Sequence, residues 1–145
     1  MTLDFDKVRT KLQYVRDTVR RLEEIRSEGR EAFLSNRILQ SASERYLQVG
    51  IEAMLDLATH IIAREGFAVP TTYRAAMETL LREGILPASH REVFLRMPSF
   101  RNRLVHLYEA IDPGEVFTIL EEHLGDFETF IRAITQRYFS NRPPE

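Results

Sequence analysis

Apolar residues recur at spacings of three and four through most of the chain. Val8, Leu12, Val15, Val19, Leu22 and Ile25 fall on one stripe of a first helix that stops before Gly29. A second helix starts at about Arg30 or Asn36 and runs to Glu65, where Gly66 supplies the stop. Its middle is apolar on more than one side: Leu39, Ala42, Tyr46, Val49 and Ala53 form one stripe, and Leu47, Ile51, Met54, Ala58 and Ile61 another. A helix patterned in this way belongs between neighbours. Val69-Pro70-Thr71-Thr72 reads as a loop and N-cap, followed by a short helix from Tyr73 to Arg82 that ends at Gly84. Pro87-Ala88-Ser89 opens a fourth helix, which Pro98 should kink or break before it continues to about Ala110. After Asp112-Pro113-Gly114, a last helix carries Val116, Ile119, Leu120, Leu124, Phe127, Ile131 and Ile134. No run alternates at period two. The pattern predicts an all-α fold, an antiparallel helical bundle of four long helices and one short one, in a single domain over 1–140 with a flexible tail at 141–145.

Composition agrees with that picture and narrows the setting. A chain of 145 residues has the size of one domain, and 43% hydrophobic with 29% charged residues suits a globular core under an ordinary charged surface. There is no cysteine, so disulfides, thiolate nucleophiles and cysteine-ligated zinc are ruled out, and a reducing cytoplasm is compatible. Met1-Thr2-Leu3-Asp4-Phe5-Asp6-Lys7 shows no basic stretch followed by an apolar run, and no segment approaches about 18 uninterrupted apolar residues. A cytoplasmic protein with no membrane span is expected. The net charge of −2 argues against a charge-driven coat on nucleic acid, but it averages over contrasts. From Ala88 to Tyr108, Arg91, Arg96, Arg101 and Arg103 face only Glu92, a local charge of +3 beside His90 and His106. From Asp112 onward seven acids oppose three arginines, a local charge of −4.

The basic stretch holds the candidate chemistry. Arg101, Asn102, His106 and Tyr108 lie within eight residues of one another. Arginine presents a planar fork of donors matched to phosphate oxygens, and histidine gives or takes a proton near neutrality. On a straight helix at about 100° per residue, Asn102 and His106 lie within about 40° of each other and Arg101 and Tyr108 within about 20°. The two pairs diverge by more than a quarter turn. Either the bend at Pro98 re-aims Arg101, or a second copy of the motif across a dimer interface completes the site. Residue types alone also allow a purely structural reading, with Tyr108 packed, His106 bonded to a neighbouring helix and the arginines in solvent.

The string Arg101-Asn102-Arg103-Leu104-Val105-His106-Leu107-Tyr108 resembles the R-x-x-x-x-H-x-Y signature of HEPN domains, specifically the HepT-like toxins of MNT/HEPN toxin–antitoxin pairs. The segment from Arg45 to Ala58, followed by His60-Ile61-Ile62, is similar to the second helix of that family, and the apolar last helix fits as well. The resemblance implies a homodimer in which two motifs line one cleft, and an RNA substrate cut without a metal or other cofactor. It implies that His106 moves the proton, Arg101 holds the phosphate and Asn102 supports the pair. It implies a cognate MNT-type nucleotidyltransferase antitoxin that AMPylates Tyr108, placing a phosphate and a nucleoside where RNA should lie. A noncatalytic module that binds nucleotide or RNA, or serves for docking, is the competing expectation.

Elsewhere, Glu52, Asp56 and His60 stand at i, i+4 and i+8, a register that could bind a divalent cation. One helix seldom supplies every ligand, so the expectation is that these groups satisfy arginines or helix ends. His90 and His123 are expected at the surface. Arg16, Arg20 and Arg21, matched in part by Glu23 and Glu24, read as a solvated face.

Overall fold

The carboxylate of Asp4 accepts the Lys7 backbone N–H at 3.1 Å and caps the helix that begins at Phe5. The computed structural model describes residues 3–106 and 111–139. Among these it contains seven α-helices: α1 (Phe5–Arg26), α2 (Arg30–Leu34), α3 (Arg37–Glu65), α4 (Tyr73–Arg82), α5 (Arg91–Val105), α6 (Pro113–Glu122) and α7 (Leu124–Tyr138). One 3-10 turn, Ala88–His90, precedes α5, and no strand occurs among the described residues. No helix among them is long and apolar enough to cross a membrane. The tail at 141–145 lies outside the described residues.

All six apolar positions of the α1 stripe are buried. They pack chiefly on α3, which also meets α4 and α5 and so runs through the centre of the bundle. Of its two expected stripes, Leu47, Ile51, Met54, Ala58 and Ile61 are fully buried, while Leu39, Ala42 and Tyr46 are half-buried against the core. Gly50 lies where α1, α3 and α7 meet. A Cβ there would stand 3.2 Å from Thr18 Cγ2 and 3.5 Å from the Phe127 ring.

The second helix takes the later of its two expected starts, and the last expected helix is divided. Asn36 turns its side chain onto the N–H groups of Ile38 and Leu39 at 3.0 and 3.2 Å, a cap that starts α3 after the short α2. Gln40 then donates to the Phe33 and Leu34 carbonyls and ties the end of α2 to that start. His123 divides the last helix, and its ring bonds the Asp126 carboxylate at 2.9 Å. The α3 stop at Gly66 takes a left-handed backbone, φ 77°, as the sequence requires.

Pro98 does not break the fourth helix: α5 is continuous from Arg91 to Val105 with Pro98 buried inside it. In the turn before the proline, Arg74 of α4 donates to the Leu95 carbonyl at 3.3 Å. The helix runs to Val105 with His106 as its cap, and the expected continuation over 107–110 lies outside the described residues. Arg103 and Glu115 are joined by two hydrogen bonds of 2.8 and 3.0 Å, which tie the last turn of α5 to the start of α6.

Candidate active site

The motif begins on the last turn of α5. Arg101 is half-buried and is held from three sides. Its Nε donates to Glu52 Oε1 on α3 at 3.2 Å, its Nη1 donates to Asn102 Oδ1 at 3.2 Å, and its guanidinium lies 5.9 Å from the centroid of the Tyr73 ring on α4. Gln48 donates to the same Glu52 oxygen at 3.0 Å from one helical turn away. A chain of polar groups, Gln48 to Glu52 to Arg101 to Asn102, therefore fixes the phosphate-binding candidate against the central helix.

His106 stands apart from that chain. It is the C-cap of α5: its N–H reaches the Asn102 carbonyl at 3.3 Å, but its own backbone, φ −81° and ψ 85°, has left the helix. Its φ is close to helical, so its Cβ keeps the phase of about 40° from Asn102, and the ψ of 85° turns only the chain that follows. The His106 side chain is exposed and lines a cleft of about 520 Å³ between the first half of α3, the end of α5 and the start of α6. Arg101 and Asn102 do not line that cleft. Gln48, the first member of the polar chain behind Arg101, does line it. Tyr108 lies outside the described residues.

Arg103, which fills a variable position of the motif, proves to be the clamp on Glu115. The fork holds the Glu115 carboxyl below its usual 4.5, chiefly through the side-chain hydrogen bond, against the opposing effect of burial.

The second constellation is divided among different partners. Glu52 takes Arg101, Asp56 takes Lys11 at 3.3 Å, and no group of three acids or histidines among the described residues is placed to hold a metal ion. The His60 ring, with Nε2 buried, is pushed below its usual 6.5 by burial first and by Lys7 and Arg64 next, opposed by Asp4. His90 bonds Ser89 at 3.0 Å, His123 is exposed beside Asp126, and Arg20 pairs along its own helix with Asp17 at 3.6 Å.

Sequence reasoning missed two contributors to this geometry. Tyr73 under Arg101 carries no local signal. The Gln48–Glu52 pair has one, a four-residue spacing on a helix, but nothing local shows that it faces Arg101, 49 residues away.

A family model described as "Ribonuclease HepT-like" matches residues 15–134. The "mRNA nuclease HepT" of Shewanella oneidensis is 26% identical over 129 residues, covering 89% of this chain and 96% of that one. The "tRNA nuclease HepT" of Aphanizomenon flos-aquae is 27% identical over 127 residues, covering 88% and 86%. Among solved structures, the tri-AMPylated Shewanella oneidensis HEPN toxin in complex with MNT antitoxin superimposes with a TM-score of 0.83 at 25% identity, covering 90% of this chain and 98% of that one. Bacillus subtilis YutE, a cytosolic protein of unknown function, shares the fold with a TM-score of 0.82 at 19% identity, covering 99% and 96%.

Proposed function

Because the chain belongs to the HepT-like ribonuclease family, we propose that it is the toxin half of a toxin–antitoxin pair, a metal-independent RNA endonuclease acting through Arg101 and His106. The observation that carries this reading is the position of His106, exposed at the end of α5 in a cleft large enough for nucleotides, five residues after a fixed arginine. In the reaction, an imidazole takes the proton of a ribose 2′-hydroxyl while the 2′-oxygen bonds to phosphorus. The bond to the 5′-oxygen breaks, and that oxygen receives a proton. Arg101 neutralises the charge that builds on the non-bridging oxygens, and Asn102 steadies the guanidinium. The divergence of Arg101 from His106 around α5, more than a quarter turn by helical phase, favours a homodimer in which the second copy brings its own motif to the cleft. Exposed apolar side chains beside the cleft, Ile38 at 80% and Val105 at 39% exposure, suit such an interface.

Control follows from the same chemistry. Relatives of this fold occur as an AMPylated toxin bound to MNT antitoxin, and Tyr108 is the position where a cognate nucleotidyltransferase would attach AMP, two residues beyond His106. The nucleotide would then carry negative charge and bulk into the place RNA needs. The purified protein is expected to cut RNA with chelator present. After reaction with its partner nucleotidyltransferase and ATP it should gain mass in AMP steps and lose that activity, and Tyr108→Phe should gain none. Cleavage abolished by chelator, or AMP addition undiminished in Tyr108→Phe, would count against the proposal.

Glu52 enters as a positioning residue. Glu52→Ala leaves Arg101 without its main partner and is expected to lower kcat roughly tenfold, the scale of one charged hydrogen bond. KM should change less, and Glu52→Gln should recover part of the rate. Equal effects on helix content and on rate would instead indicate a role in folding alone.

A further inference from the structure

We infer that α3 gives the cleft beside His106 a phosphate track of its own, Arg37 and Arg45, which takes an oligonucleotide rather than a mononucleotide; the inference rests on the ribonuclease reading of that cleft. Both arginines line the cavity and both are exposed. Neither side chain makes an ion pair or a hydrogen bond with any described residue, whereas Arg101 and Arg103 nearby are committed to Glu52 and Glu115. A guanidinium that the protein leaves unmatched in a concave site keeps its whole donor fork for a ligand, and phosphate fits that fork.

The spacing defines the ligand further. Eight residues of helix separate the two, about 12 Å along the axis of α3. A strand carries one charge per nucleotide, so it gives each guanidinium its own phosphate, which a nucleoside monophosphate does not. The platform is fixed at its start by the Asn36 cap and by Gln40, whose amide donates to the Phe33 and Leu34 carbonyls. Glu44, the acid in the same lining, is outnumbered by the two guanidiniums and sets the wall against a buried carboxylate ligand as much as it tempers phosphate. Neither arginine belongs to the R-x-x-x-x-H-x-Y motif, so the track serves binding and register rather than the bond-breaking step.

The test measures how salt weakens binding. A short single-stranded RNA is titrated onto the full-length His106→Ala protein, which binds without cutting, over a range of potassium chloride concentrations. Each phosphate contact contributes about 0.7 to the slope of log K against log salt. Adding Arg37→Ala and Arg45→Ala should therefore make the slope shallower by about 1.4, and the Lys pair, which keeps both charges, should restore it. In otherwise unaltered protein the Ala pair should raise KM and leave kcat in place. An unchanged slope, or a fall in kcat at constant KM, would overturn the track. Competition by AMP as strong as by the RNA would overturn its preference for an oligonucleotide. If the unaltered protein binds RNA with this slope yet never cuts it, the track stands and the ribonuclease reading falls.

Discussion

His106→Ala is expected to abolish RNA cleavage and the growth arrest that follows expression, while the protein stays folded. Removing a general acid or base costs on the order of 10² to 10⁴ in rate. In a dimer with two copies of the motif at one cleft, the substitution removes both imidazoles together. The stability cost should be small, because the side chain is exposed at the end of α5 and the cap bond to the Asn102 carbonyl comes from the backbone. Far-ultraviolet circular dichroism and a denaturant titration should match the unaltered protein, and a labelled RNA should remain whole. Cleavage at the original rate would remove His106 from the mechanism and leave the noncatalytic reading of the cleft.

Phe94→Ala is expected to do the reverse, destroying activity by way of the fold. Phe94 is fully buried on α5, and its ring meets that of Phe130 on α7 edge-on, with centroids 6.1 Å apart and planes at 69°. Truncating a buried phenylalanine costs about 3–5 kcal/mol through lost transfer energy and the cavity left behind, a large part of the 5–15 kcal/mol typical of a whole domain. Thermal unfolding should fall by on the order of 10 °C for a chain of this size. The two variants separate chemistry from structure: one loses rate at constant stability, the other loses stability first. A melting temperature unchanged in Phe94→Ala would mean that α5 is not anchored through this pair.

The sequence carries a residue's local partners and little else. The α1 stripe, the Thr72 cap and the Gly66 stop were legible because each depends on neighbours three or four positions away. The break at His123 was harder to read, since one residue outside the helix does not disturb a spacing of three and four. The tie from α5 to α6 depends on Arg103 meeting Glu115, and the setting of Arg101 on Glu52, 49 positions off. No periodicity encodes such pairs. The motif could therefore be found by its spacing, while the partners that fix it could not: Glu52 and Tyr73 reach Arg101 from two other helices.

Gly50 reverses the usual logic of mutational scanning. At most core positions, shortening a side chain opens a void; here no side chain exists to shorten, and one would begin 3.2 Å from Thr18 Cγ2, slightly too close, with the Phe127 ring in contact at 3.5 Å. An alanine scan passes over such a residue or registers it as mild, because the helical gain of alanine over glycine, about 1 kcal/mol, offsets part of the crowding. The position would be recognised only by enlargement, with each added methylene pushing α1 and α7 away from the centre of the bundle.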